Sequence, residues 1–124
     1  MTLEQVKKLS DEELQIKVAE LCGWTSIHPA HDSLFGTRHW PDGQSAEGDE
    51  VPNYPQDLNA MHEAEKTLPT DRIKKYVYQV SKVASNGNPN AHLFHVQGAV
   101  ALTTATARQR AEAFVMTMEE AGLY

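Results

Sequence analysis

The sequence predicts an α+β fold, with three to four helices packed around a small sheet. Three observations carry this reading. Apolar residues recur at helical spacing in several separate segments. One stretch, Ala91–Leu102, alternates apolar and polar residues as a half-buried strand does. The elements then run in the order helix, irregular strand-bearing segment, two helices, strand, helix, which places layers of helix around a sheet.

Thr2–Leu9 reads as a short leading helix. Ser10 and Glu13 make an S-x-x-E capping box, so a clearer helix starts there, with Leu14, Val18 and Leu21 on one face and Gly23 as its stop. From Trp24 to Val51 the pattern dissolves into Gly, Pro, His and acidic residues, and segments of that length are usually functional or mobile. Within it Ser33–Trp40 reads as a short strand ended by the Pro41-Asp42-Gly43 turn, and Gln44–Glu50 as a solvated loop tip. Pro52 and Pro55 frame the next helix, expected around 56–68 with Pro55 in its first turn and Leu58, Met61, Glu65 and Leu68 on one face. Thr70 is expected to cap a helix near 71–84 striped with Ile73, Tyr76, Val77, Val80 and Val83. After the Asn86-Gly87-Asn88-Pro89 break and the alternating stretch, Thr106 and Gln109 form a second capping-box spacing. The helix that follows, around 106–120, buries Ala107, Ala111, Phe114, Val115 and Met118.

The chain of 124 residues is one domain, and its 40% hydrophobic and 23% charged content suits an ordinary globule. Domains of this size bury roughly two-thirds of their unfolded surface. The formal net charge of −6 argues against nucleic acid as a main partner, although a local group of arginines can still hold a small anion. No apolar run is long enough for a membrane span and no signal-peptide core is visible. Cys22 is the only cysteine and fits a reduced core thiol, so the chain reads as intracellular.

Three segments, LQIKVAELCGWT (14–25), VPNYPQDLNAMHEAEKTL (51–68) and ATARQRAEAFVMTM (105–118), resemble the phage ABA sandwich domain, a family of small bacteriophage proteins. The blocks agree in order and spacing, and the chain departs from the pattern at His28–Ser33 and at Pro55. The resemblance implies a three-layer α-β-α sandwich over residues 1–124 and a place in the cytoplasm of an infected bacterial host. It implies no particular activity.

Catalytic chemistry finds no footing in the sequence. There is no G-x-S-x-G elbow, H-E-x-x-H, P-loop or G-x-G-x-x-G, and no H-x-T/S pair at His92 or His95. His28, His31, Asp32 and His39 match no established metal spacing, so neither a metal nor a cofactor is expected. Asp57 and Glu63 are too far apart on one helix to act as an acid/base pair.

What remains is a set of binding residues. Trp24, Trp40 and Tyr54 offer aromatic planes, Asn59 and His62 offer polar edges, and Arg108 and Arg110 open the last helix. Cations in a first turn oppose the helix dipole by about 0.3–1 kcal/mol each unless an anion offsets them. That anion is either a carboxylate of the protein, Asp57, Glu63 or Glu65, or a bound ligand such as a phosphate. The aromatics are equally the kind that pack a core, and Asn59 could instead pin the long segment by a hydrogen bond.

The resulting expectation is a homo-oligomeric, non-enzymatic binding protein. It would sequester a small anionic ligand, above all a nucleotide signal of host immunity, in a counter-defence role. The alternatives are an interaction module that blocks a host factor through its acidic surface, or an enzyme that processes a nucleotide.

Overall fold

Local hydrogen bonding starts the first two helices where the sequence places them. The computed structural model describes residues 1–40, 42–84 and 105–120. Helix α1 spans Leu3–Lys7 and α2 spans Asp11–Leu21. Thr2 with Gln5, and Ser10 with Glu13, each close a complete capping box. Two backbone donors are thereby satisfied at each start. Helix α2 ends in a Schellman turn, Gly23 N–H donating to the Glu20 carbonyl and Trp24 N–H to the Ala19 carbonyl. Gly23 takes φ +98 there, a conformation that side chains resist.

The stretch expected to be irregular is a three-stranded antiparallel sheet. Strands β1 (Thr25–Ala30), β2 (Ser33–His39) and β3 (Ser45–Glu50) run as a meander in the order β1-β2-β3. Only β2 matches the sequence expectation, and the expected loop tip at Gln44–Glu50 is β3. Both outer strands lack an apolar stripe: β1 carries Pro29 and a bulge, and β3 reads SAEGDE. Exposed edge strands need no buried face, so the alternation that marks a strand never forms. A two-residue turn joins β1 to β2, with His31 and Asp32 both at positive φ (51 and 65) between the paired Ala30 and Ser33. That is the backbone of a type I′ hairpin. Gly36 in β2 lies so close to β1 that a Cβ would meet the Thr25 carbonyl oxygen at 3.0 Å. The strand expected at Ala91–Leu102 falls outside the described residues.

Helix α3 spans Leu58–Glu65 and starts later than Pro55 implies. Asp57 is its N-cap, its carboxylate accepting from the Asn59 and Ala60 amides at 3.0 and 3.3 Å. Thr70 is not a cap either. Pro69 holds that position without a side-chain bond, and a 3₁₀ turn, Thr70–Arg72, leads into α4, Ile73–Ala84. Tyr76, Val80 and Val83 of the expected stripe are buried, while Ile73 is 48% exposed.

Helix α5, Ala107–Glu120, is the centre of the molecule. All of Ala111–Met118 is buried, so the helix is enclosed on every side rather than along one stripe. Helices α1, α2, α3 and α4 all pack on it. Phe114 meets Tyr76 edge to face, with centroids 6.4 Å apart. The enclosed polar residues are satisfied locally: Thr117 donates to the Ala113 carbonyl at 2.8 Å, and Glu112 accepts from Arg108. The sheet shares this core through Leu34 and the residues that flank the strands, Trp24, Val51 and Tyr54. The fold is α+β, a small antiparallel sheet with helices packed against it. No described helix is long and apolar enough to cross a membrane.

Candidate functional site

The two arginines of α5 diverge. Arg108 Nη1 donates to Asp11 at 2.5 Å and Nε to Glu112 at 3.2 Å, while Nη2 donates to the Leu9 carbonyl at 2.6 Å. It ties the α1–α2 junction to α5. Arg110 Nη1 donates to Glu65 at 2.9 Å, tying α3 to α5. Residues two apart on a helix point to nearly opposite sides, so these side chains cannot clamp one ligand together. Of the carboxylates anticipated from the sequence, Glu65 is the partner found; Asp57 caps α3 and Glu63 pairs with Lys66 at 3.0 Å.

Glu65 is a junction. Besides Arg110 it accepts from the Tyr76 hydroxyl and is hydrogen-bonded to His62 Nδ1 at 2.8 Å. Burial alone would raise its pKa, but these three bonds outweigh burial and hold it below the ordinary carboxylate range. Burial of the ring, and then its hydrogen bond to Glu65, push the Tyr76 phenol far up. Glu112 goes the other way, raised by burial despite Arg108. Asp11 is lowered by its hydrogen bonds from Gln56 and then Arg108.

Of the aromatics, Trp24, Trp40 and Tyr54 gather around a residue the sequence reading passed over, Arg38. Its guanidinium carbon lies over both indoles, 5.8 Å from the Trp24 centroid and 5.3 Å from that of Trp40. Trp24 is buried in the same core cluster as Tyr54, while Trp40 remains 38% exposed. Desolvation pushes the Tyr54 phenol up, and it lifts the neighbouring Cys22 thiol to about 11, which keeps that thiol protonated and inert. Arg38 and Trp40 are two apart along β2 and its exit, a same-face spacing that the strand expected at Ser33–Trp40 already carried. Asn59 and His62 lie on the exposed side of α3, and His62 meets Arg110 only through Glu65.

A separate cleft of about 970 Å³ opens between the N-terminal half of α2, the β1–β2 hairpin and the segment 50–57. Asp11, Glu12, Asp32, Glu50 and Asp57 line it, and among the described residues no lysine or arginine stands in its walls. Asp11 is occupied by Gln56 and Arg108, and Asp57 by the α3 amides. Glu12, Asp32 and Glu50 are exposed and face solvent-accessible space. The Gln15 amide donates to the Val51 and Pro52 carbonyls, both at 3.1 Å, and so fixes the cleft's far wall to α2. Such a cleft concentrates negative potential. Among the described residues no three His, Cys, Asp or Glu side chains converge closely enough to hold a metal ion.

Comparison with family models, with curated proteins and with solved structures returns no match.

Proposed function

We propose that the protein is a binding module that receives a cationic segment of a partner protein in its acidic cleft. The observation that supports this reading is the cleft itself: five carboxylates and, among the described residues, no lysine or arginine in the walls of a space of about 970 Å³. Three of those carboxylates face the opening, and their mutual repulsion falls when a cation enters. Binding of this kind works by occupancy rather than turnover. If the resemblance to the phage family holds, the partner would be a host factor in the bacterial cytoplasm, and occupancy would block it.

Capture of a small anionic ligand draws on another part of the molecule. The arginines first associated with it, Arg108 and Arg110, are engaged by carboxylates, whereas among the described residues no carboxylate pairs with Arg38, which lies over Trp24 and Trp40. The two surfaces share no residue, so the readings are independent.

An oligoarginine peptide tests the cleft. It should bind more tightly than a neutral peptide of the same length, with affinity falling as salt rises, because exposed charges are screened. The combined Glu12→Gln, Asp32→Asn, Glu50→Gln variant should lose about tenfold or more. Equal affinity for the neutral peptide, or an unaffected triple variant, would remove the proposal's support.

A further inference from the structure

The chain holds two tryptophans, and both lie against one arginine. Arg38 belongs to the exposed end of β2, yet among the described residues no carboxylate lies within ion-pair distance of it. Arg108 and Arg110, in contrast, are each held by at least one carboxylate. A guanidinium over an indole uses its flat face; its N–H donors lie in the plane and stay available. Those in-plane donors match the two oxygens of a phosphate or carboxylate.

The two rings divide the remaining work. Trp24 is only 6% exposed and packed in the core, so it serves as a fixed base for the guanidinium. Trp40 is 38% exposed and presents indole surface on which a planar ring can stack. Contact with both indoles orders the Arg38 side chain before a ligand arrives, which lowers the entropy lost on binding. Thr25 Oγ1 and His39 Nε2, hydrogen-bonded at 2.8 Å across the same end of the sheet, stabilise the neighbouring strand pair.

We propose that Arg38, Trp24 and Trp40 form a binding site for a nucleoside phosphate, the phosphate on the in-plane donors of Arg38 and the base stacked on Trp40. An oxyanion alone would satisfy Arg38 and leave Trp40 unused. An uncharged base would stack without the charged anchor. The combination selects small ligands that carry both groups a short distance apart. The site is distinct from the acidic cleft, and it does not depend on what occupies that cleft.

The test uses calorimetric titration of the full chain with a nucleoside monophosphate, a cyclic dinucleotide and ADP-ribose, beside adenosine and inorganic phosphate. Because both tryptophans report from the site, indole emission gives a second readout of the same event. At least one phosphorylated ligand should bind saturably and change that emission, with adenosine and phosphate each about tenfold weaker or more. Arg38→Gln and Trp40→Leu should each weaken binding by a similar factor, and Arg38→Lys should be intermediate because charge is kept and the fork is lost. Both residues are exposed, so circular dichroism melts should be unchanged. The triple cleft variant should bind the nucleotide as the parent does. The inference is overturned if none of the three phosphorylated ligands binds saturably. It is equally overturned if inorganic phosphate binds as tightly as they do, or if Arg38→Gln and Trp40→Leu leave affinity unaltered in folded protein.

Discussion

Arg108 and Arg110 open a helix whose N-terminus already carries positive partial charge, and each is offset by a carboxylate from a different partner helix. Their side chains are 28% and 13% exposed. Removing Arg110 strands Glu65 in a half-buried site, so Arg110→Ala should destabilise by roughly 3–5 kcal/mol, the range for breaking a buried pair. Arg108→Ala should cost roughly 1.5–3 kcal/mol, as for lost hydrogen bonds to charged groups. Urea denaturation of both variants checks this ordering. The same carboxylates set the pH response. Glu65 and Asp11 titrate below the ordinary range, so their contribution is complete above about pH 4.3 and is lost as pH falls through their lowered folded values. Glu112 is raised, so the folded state takes up its proton first and gains stability above that range. Melting temperature should therefore hold steady or rise slightly on mild acidification, then fall; Glu65→Gln should blunt the fall and Glu112→Gln the rise. A steady decline from neutral pH in the parent would contradict this assignment. The capping boxes at Ser10 and Thr106 were legible because both partners lie within three residues. The Asp11–Arg108 pair spans 97 positions and no local pattern announces it.

At the scale of elements, helices were read from sequence far better than strands. A helix declares itself by spacing and caps within its own length. Strands β1 and β3 are exposed on both sides of β2 and take their order from backbone pairing, which leaves no apolar signature. Arg38 was missed for a different reason: the strand expected at Ser33–Trp40 already put it on one face with Trp40, but Trp24 lies before β1, and only the pairing of β1 with β2 brings both indoles to it. Two substitutions test the sheet. Gly36→Ala would place a methyl 3.0 Å from a backbone oxygen and 3.2 Å from Ile27 Cγ1, so it should destabilise by about 1–3 kcal/mol, as overpacking does. Replacing His31-Asp32 with Asn-Gly should stabilise by about 1 kcal/mol, because the left-handed turn then carries residues suited to it. Thermal melts of the two variants should move in opposite directions. A stabilised Gly36→Ala would show that β1 and β2 do not approach as described.

Across the whole molecule, one enclosed helix organises the helical part while the sheet and the cleft stand at its side. The homo-oligomer expected from the sequence is checked by light scattering, which should show more than one copy per particle at micromolar concentration; a monomer would contradict it. The two proposed sites occupy separate parts of the surface: an acidic cleft on one side of α2 and the hairpin, and an arginine held by two indoles at the far end of β2. The residues that create the cleft come from α2, the β1–β2 turn and the 50–57 segment, and only the folded chain unites them. The central claim is that a cationic partner enters this cleft and not the acidic surface at large. Amide chemical-shift mapping during titration with an oligoarginine peptide tests it most directly. Saturable shifts should concentrate at residues 11–15, 29–34 and 50–57, while the exposed carboxylates Glu4, Glu20 and Glu47 stay unperturbed. Shifts spread evenly over all exposed carboxylates, or none at the cleft, would contradict it.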